Sequence, residues 1–212
     1  RAIVYLRGGE VDGRIVRGAV EVSPNKVIAW EALGETYSQL AFATGATEQA
    51  VEAYLKAIEL EPTNSVLRTE LGKLFLALEL NEEAKAQFLR AREVKPNYFE
   101  ATRQYALVLE QEQSFQSAIR ELEDLALKDI LDEETLFQLG RLYYNEGRTT
   151  DAIARFEQAL ELTPNNSNVI YSLGIAFEDE GRVEAAIQAF QRVLELNPTN
   201  EEVVQRLQQL RK

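Results

Sequence analysis

Residues 136–166 read LFQLGRLYYNEGRTTDAIARFEQALELTPNN. Leu139, Gly140 and Tyr143 fall on one face at helical spacing, and Ala152, Phe156 and Ala159 fall on one face of a second segment. Between them lies Asn145-Glu146-Gly147-Arg148, a turn with a helix-terminating glycine. Pro164-Asn165-Asn166 stops the second helix and caps the next one. Small residues at Gly140 and Ala152 let two backbones approach closely, and Tyr143 fills the space beyond. The stretch reads as a helical hairpin.

The hairpin recurs along the chain. Ala50, Ala84, Ala118, Ala152 and Ala186 each stand 34 residues from the next. Four places after each come Tyr54, Phe88, Leu122, Phe156 and Phe190, and three further Ala57, Ala91, Leu125, Ala159 and Val193. Pro62, Pro96, Ile130, Pro164 and Pro198 follow in the same phase. Upstream, Leu71-Gly72, Tyr105-Ala106, Leu139-Gly140 and Leu173-Gly174 are each followed, three residues after the small one, by Phe75, Leu109, Tyr143 and Phe177. The first unit carries Trp30, Leu33, Gly34 and Tyr37, with four extra residues before Ala50. A fixed period of this length marks a repeat array.

These residues resemble the tetratricopeptide repeat (TPR), whose signature is Trp, two residues, Leu-Gly, two residues, Tyr, then Ala, three residues, an aromatic, then Pro. Trp30, Leu33, Gly34, Tyr37, Ala50, Tyr54 and Pro62 match it in the first full unit, and the resemblance covers residues 27 to 200. It implies an all-α, right-handed α-solenoid without strands, of about a dozen helices, with the five periodic alanines buried between hairpin partners. Five units are expected at 27–64, 65–98, 99–132, 133–166 and 167–200. Residues 1–26 read as a partial N-terminal repeat: Gly13 to Pro24 as its second helix, with Val16 and Ala19 in phase, and Ala2 to Leu6 as the tail of its first. Residues 201–212 read as a C-terminal capping helix with Val203, Val204, Leu207 and Leu210 inward.

Two departures stand out. The insertion in the first unit is expected either to lengthen its first helix toward Phe42 or to form a loop at Ala43 to Thr47. Leu125 and Ile130 replace the usual Ala and Pro of the third unit, so its second helix is expected to run longer or to end in a turn at Lys128-Asp129.

The composition narrows the function classes. Among 212 residues, 23 Lys and Arg face 35 Asp and Glu, a formal net charge of −12, which argues against nucleic acid as a partner. Cys, His and Met are absent from the sequence. A thiolate nucleophile, an imidazole base and Cys- or His-ligated metal are therefore excluded, and no catalytic site, metal or cofactor is expected. Leu6-Arg7-Gly8-Gly9 lacks the Lys-Ser/Thr of a phosphate loop. No apolar run reaches the roughly 18 residues of a spanning helix, so no direct membrane insertion by these residues is expected. The chain opens at Arg1 without Met and reads as a soluble fragment, with the cytoplasm favoured as its location. Its array is expected to continue upstream, and the open N-terminal end to exchange amides fastest or to support a homo-oligomer.

TPR arrays bind extended peptides or partner helices along a concave face lined by the first helix of each hairpin, and the resemblance implies a non-catalytic interaction scaffold here. Helix phase assigns to that face Glu31 and Glu35; Thr69 and Lys73; Glu100, Arg103 and Leu107; Phe137, Arg141, Tyr144 and Asn145; Tyr171, Ile175 and Asp179. The candidate groove residues are Lys73, Arg103, Phe137, Arg141, Tyr144, Asn145 and Tyr171. Glu70 and Glu100 lie one turn before Lys73 and Arg103, close enough to neutralise both. Arg141 has no acidic residue three or four places away and is expected to be unpaired, beside exposed aromatics, as in interface hot spots. The expected partner is therefore a protein or peptide segment that is acidic or aromatic-rich, losing about 2 kcal/mol on Arg141→Glu. The two-carboxylate clamp known in some TPR proteins is not expected, because Glu31, Glu35 and Glu70 occupy the matching places. Glu133-Glu134 and Glu178-Asp179 read as helix-terminus charges. Self-assembly as a structural scaffold, or service as the recognition arm of a larger enzyme or membrane protein, are the competing readings.

Overall fold

A computed structural model of the chain describes residues 13–40, 45–126 and 132–211. Among these there is no strand. Twelve helices follow one another among the described residues: α1 (Gly13–Val22), α2 (Val27–Gln39), α3 (Ala46–Leu60), α4 (Ser65–Ala77), α5 (Asn81–Val94), α6 (Phe99–Gln111), α7 (Phe115–Ala126), α8 (Glu133–Asn145), α9 (Thr149–Leu162), α10 (Ser167–Asp179), α11 (Val183–Leu196) and α12 (Glu201–Leu210). They divide into two compact units, Arg1–Val108 and Leu109–Lys212. In the first, α2 packs on α3 and α4 on α5; in the second, α8 packs on α9 and α10 on α11. Each unit is thus a run of antiparallel helical hairpins of the TPR solenoid type.

The periodic residues are the ones buried. Ala50, Ala84, Ala118, Ala152 and Ala186 are all 0% exposed. Phe88, Phe156 and Phe190 are fully enclosed beside them. A Cβ built on Gly140 would come within 2.4 Å of the Phe156 ring, closer than real side chains tolerate, so this glycine is what admits the ring. Within each unit, helix starts are capped as the Asn positions suggest. Asn64 accepts from the backbone N–H of Val66 and Leu67, Asn166 from Asn168 and Val169, and Asn200 from Val203.

The turns inside four of the hairpins each take a left-handed residue. Gly147 and Gly181 supply it at φ 75° and 72°, and Glu79 and Gln113 adopt it at 60° and 59° without being glycine. At all four the same pair of bonds closes the helix: Arg148 N–H donates to Tyr143 O (2.8 Å) and Gly147 N–H to Tyr144 O (2.9 Å), as Ser114 does to Leu109 (2.8 Å) and Gln113 to Glu110 (2.9 Å). A side chain at positive φ costs about 1–2 kcal/mol, partly offset by the unfolded-chain freedom a glycine adds. Gln113→Gly should therefore raise the unfolding free energy by about 0.5–1 kcal/mol in a urea titration; a fall would mean the turn is not strained.

Several expectations change. The insertion does not lengthen the first helix of its unit, since α2 has 13 residues, as α4, α6, α8 and α10 do. The extra residues precede Gly45, whose φ of 79° starts α3 at Ala46, so Ala46 and Thr47 are helical rather than loop. Phe42 and Ala43 lie outside the described residues, as do Lys128, Asp129, Ile130 and the expected helix at 2–6. In α12, Val203 and Leu207 are buried but Val204 is 37% exposed, because one residue along a helix turns the side chain by about 100°. Thr69 is likewise no groove residue: it is fully buried and its hydroxyl donates to Ser65 O at 3.0 Å.

Candidate functional site

The first helices of successive hairpins carry the groove residues. In the first unit, Lys73 pairs with Glu70 at 2.9 Å and with Glu100 at 3.4 Å, and Arg103 pairs with Glu100 at 2.8 Å. The structure brings Lys73 and Arg103 onto one carboxylate. Burial pushes the Glu100 carboxyl up, but hydrogen bonds from Arg103 and Gln104 and the nearby Lys73 charge outweigh it and hold its pKa below the usual value. The stabilisation from a lowered carboxylate is complete above the ordinary Glu range and is lost as pH falls through the lowered value. Glu100→Gln should accordingly flatten that part of the acid unfolding curve; an unchanged curve would show that the cluster adds nothing. At the other end, burial and the charges of Glu35 and Glu61 raise Glu31, an environment unfavourable to a carboxylate ligand.

In the second unit, α8 and α10 flank a cleft of about 300 Å³. Four of the expected residues, Phe137, Arg141, Tyr144 and Asn145, line it from α8. Asn168, Ser172 and Ile175 line it from α10, and Phe156 of α9 also reaches it. Of these, sequence phase had placed Ile175 on the face and missed Asn168, Ser172 and Phe156. Ser172 and Asn168 stand one and two helical turns before Ile175 on α10, a spacing that could have found them.

Two readings of the site are corrected. Arg141 is not unpaired: its Nη2 donates to Glu110 Oε1 at 3.0 Å, and Asn145 Nδ2 donates to the same oxygen at 3.0 Å. The partner comes from α6, 31 residues earlier, beyond any search within one helix. The guanidinium lies 5.9 Å from the Phe137 ring centre. Tyr171, in turn, does not line this cleft. It stands one period after Phe137 and repeats that residue's contact within its own hairpin: its ring lies 5.8 Å from Phe190, as Phe137 lies 5.9 Å from Phe156. Its hydroxyl donates to Glu202. Phe137 and Tyr171 are therefore half-buried in ring contacts rather than fully wet.

Tyr144 Oη donates to Asp179, which with burial and the charge of Asp179 pushes its phenol up to about 12. Arg206 is held by Glu178 at 3.0 Å and Glu202 at 3.6 Å. Glu133 and Glu134 occupy the first turn of α8, where the helix dipole favours them, whereas Glu178 and Asp179 end α10, where it does not. Among the described residues no group of three or more acidic side chains is placed to hold a metal ion, and no helix is long and apolar enough to cross a membrane.

Helical hairpins with a cleft between successive first helices define a helical-repeat fold. Tetratricopeptide repeat models match residues 28–64, 69–132 and 137–201, and the chain belongs to the tetratricopeptide repeat family. No curated protein matches it. Among solved structures it is similar to YrrB, described as a TPR protein with an unusual peptide-binding site, at 20% identity and a TM-score of 0.63, over 91% of this chain and 97% of that one. It is similar also to the Cut9-Hcn1 assembly of the APC/C (18% identity, TM-score 0.76, 94% of this chain and 39% of that one). A third is MamA from Desulfovibrio magneticus RS-1 (20%, 0.66, 81% and 97%). At these identities the likeness is one of fold.

Proposed function

We propose that the chain is a non-catalytic scaffold that holds an extended peptide or partner helix against the first helices of its hairpins, with the α8–α10 cleft as the anchoring point. The repeat units are taken as 27–64, 65–98, 99–132, 133–166 and 167–200, flanked by a partial repeat at 1–26 and a cap at 201–212. One observation carries the reading: Phe137, Arg141, Tyr144 and Asn145, spread over about two helical turns, meet Asn168, Ser172 and Ile175 around one cleft. Apolar walls with a few convergent polar groups are the composition of a binding site. Asn145 and Asn168 offer both donor and acceptor groups to a peptide backbone. The peptide-binding site of YrrB supports the reading by likeness of fold. Arg141 gives no preference for an acidic partner, because Glu110 already meets its charge.

The test is capture of partners from a lysate of the source cells, followed by hydrogen–deuterium exchange of the complex. Protection is expected in 137–145 and 168–175. Ser172→Trp, which fills the cleft from a half-buried position, should weaken binding at least tenfold while leaving the melting curve unchanged. A footprint confined to the second helices, or equal affinity of the variant, would overturn the reading.

A further inference from the structure

Several donors around the cleft are already engaged inside the protein, the side-chain amide of Asn168 excepted. Arg141 Nη2 and Asn145 Nδ2 both donate to Glu110 Oε1, Tyr144 Oη donates to Asp179, and Ser172 Oγ donates to Asn168 O at 2.9 Å. What remains open is mostly acceptor: the second oxygen of Glu110, the second oxygen of Asp179, the amide oxygen of Asn145 and the lone pairs of the two hydroxyls. Arg141 keeps further N–H groups, but its charge is met by a Glu110 side chain that is only 13% exposed.

The charge has the same sense. Asp179 is the last residue of α10 and Glu110 the last but one of α6, so both carboxylates sit at the negative end of a helix dipole. No cation pairs with Asp179 among the described residues, and Arg206, whose charge reaches Tyr144, is engaged by Glu178 and Glu202. An exposed, unneutralised carboxylate at a helix C-terminus favours a cation. Asp179 adjoins the cleft through Tyr144, which lines it together with the apolar Phe137, Phe156 and Ile175.

We infer that the cleft takes a lysine or arginine side chain of the bound peptide, its methylene stem against Phe137, Phe156 and Ile175 and its charged head on Asp179 and the Tyr144 hydroxyl. Long basic side chains combine an apolar stem with a head made only of donors, the complement of an acceptor-rich apolar cleft. An acidic side chain would meet the Asp179 carboxylate and would find the Arg141 charge already shared with Glu110. The inference rests on the reading of the cleft as a peptide site and specifies the peptide's chemistry.

A random dodecapeptide library displayed on phage, panned against the full chain, tests it. The strongest binders are made as labelled peptides and titrated while backbone amide resonances are followed. Binders should share a Lys or Arg whose replacement by norleucine lowers affinity at least tenfold. They should shift the resonances of Ser172 and Ile175 and weaken with added salt. Asp179→Asn keeps the acceptor for Tyr144 but removes the charge, and should abolish most of the Lys/Arg preference. Binders that shift the same resonances but prefer Glu or norleucine, or that ignore Asp179→Asn, overturn the inference and leave the peptide site standing. Binders that shift only other residues, or a library that yields none, overturn the peptide site and the inference with it.

Discussion

Phe156→Ala should lower the unfolding free energy by about 3–5 kcal/mol, the usual cost of emptying a fully buried aromatic site. The ring is 1% exposed, touches Phe137 at 5.9 Å between centres and lies in the space left by Gly140. Alanine would leave a void that its rigid helical neighbours cannot close. In a repeat array each hairpin is held mainly by its neighbours, so the loss should appear first in α8–α11 rather than uniformly. Urea unfolding followed by circular dichroism gives the magnitude, and amide exchange gives the location. A loss under about 1 kcal/mol would mean that the hairpin core is carried by other contacts.

Gly140→Leu should cost about 3 kcal/mol, despite the roughly 0.8 kcal/mol that leucine gains over glycine in helix propensity. The first added carbon would stand 2.4 Å from one atom of the Phe156 ring and 2.6 Å from another. Phe137, 5.9 Å away between ring centres, packs against the ring and restricts its retreat. Combining Gly140→Ala with Phe156→Leu should lose less than the two single changes added together, because the smaller side chain relieves the clash. Additive losses would mean that the glycine serves some purpose other than admitting the ring.

The α8–α10 cleft was legible in part. Phase within one helix placed Phe137, Arg141, Tyr144 and Asn145 together on α8, since 100° per residue is a local rule. It failed for their partners, because those come from the neighbouring first helix. Arg141 meets Glu110 31 residues back, Tyr144 meets Asp179 35 residues on, and Asn145 meets Glu110 35 residues back. These separations are the 34-residue period shifted by a residue or by one helical turn. A search at one period plus or minus a turn would have found Glu110. The same shift explains Tyr171, which repeats Phe137 one period later and so faces α11 and α12, through Phe190 and Glu202.

The sequence by itself determined the hairpin, its period and its core, down to the fully buried alanines at 50, 84, 118, 152 and 186. Those features depend on spacing within a helix and on a recurrence visible along the chain. It also held the need for a left-handed residue in four of the turns, written plainly at Gly147 and Gly181 and concealed at Glu79 and Gln113, where an ordinary side chain takes the glycine's conformation. Only the tertiary structure decided the charge of the groove. Arg141 changes from a free cation into a committed one when α6 brings Glu110 to 3.0 Å, and Asp179 is left, among the described residues, as a carboxylate without a counter-ion at the end of α10. The physical reason is range: burial and helix phase are set by nearest neighbours in sequence, whereas an ion pair is set by which helices stack, at separations of a whole repeat.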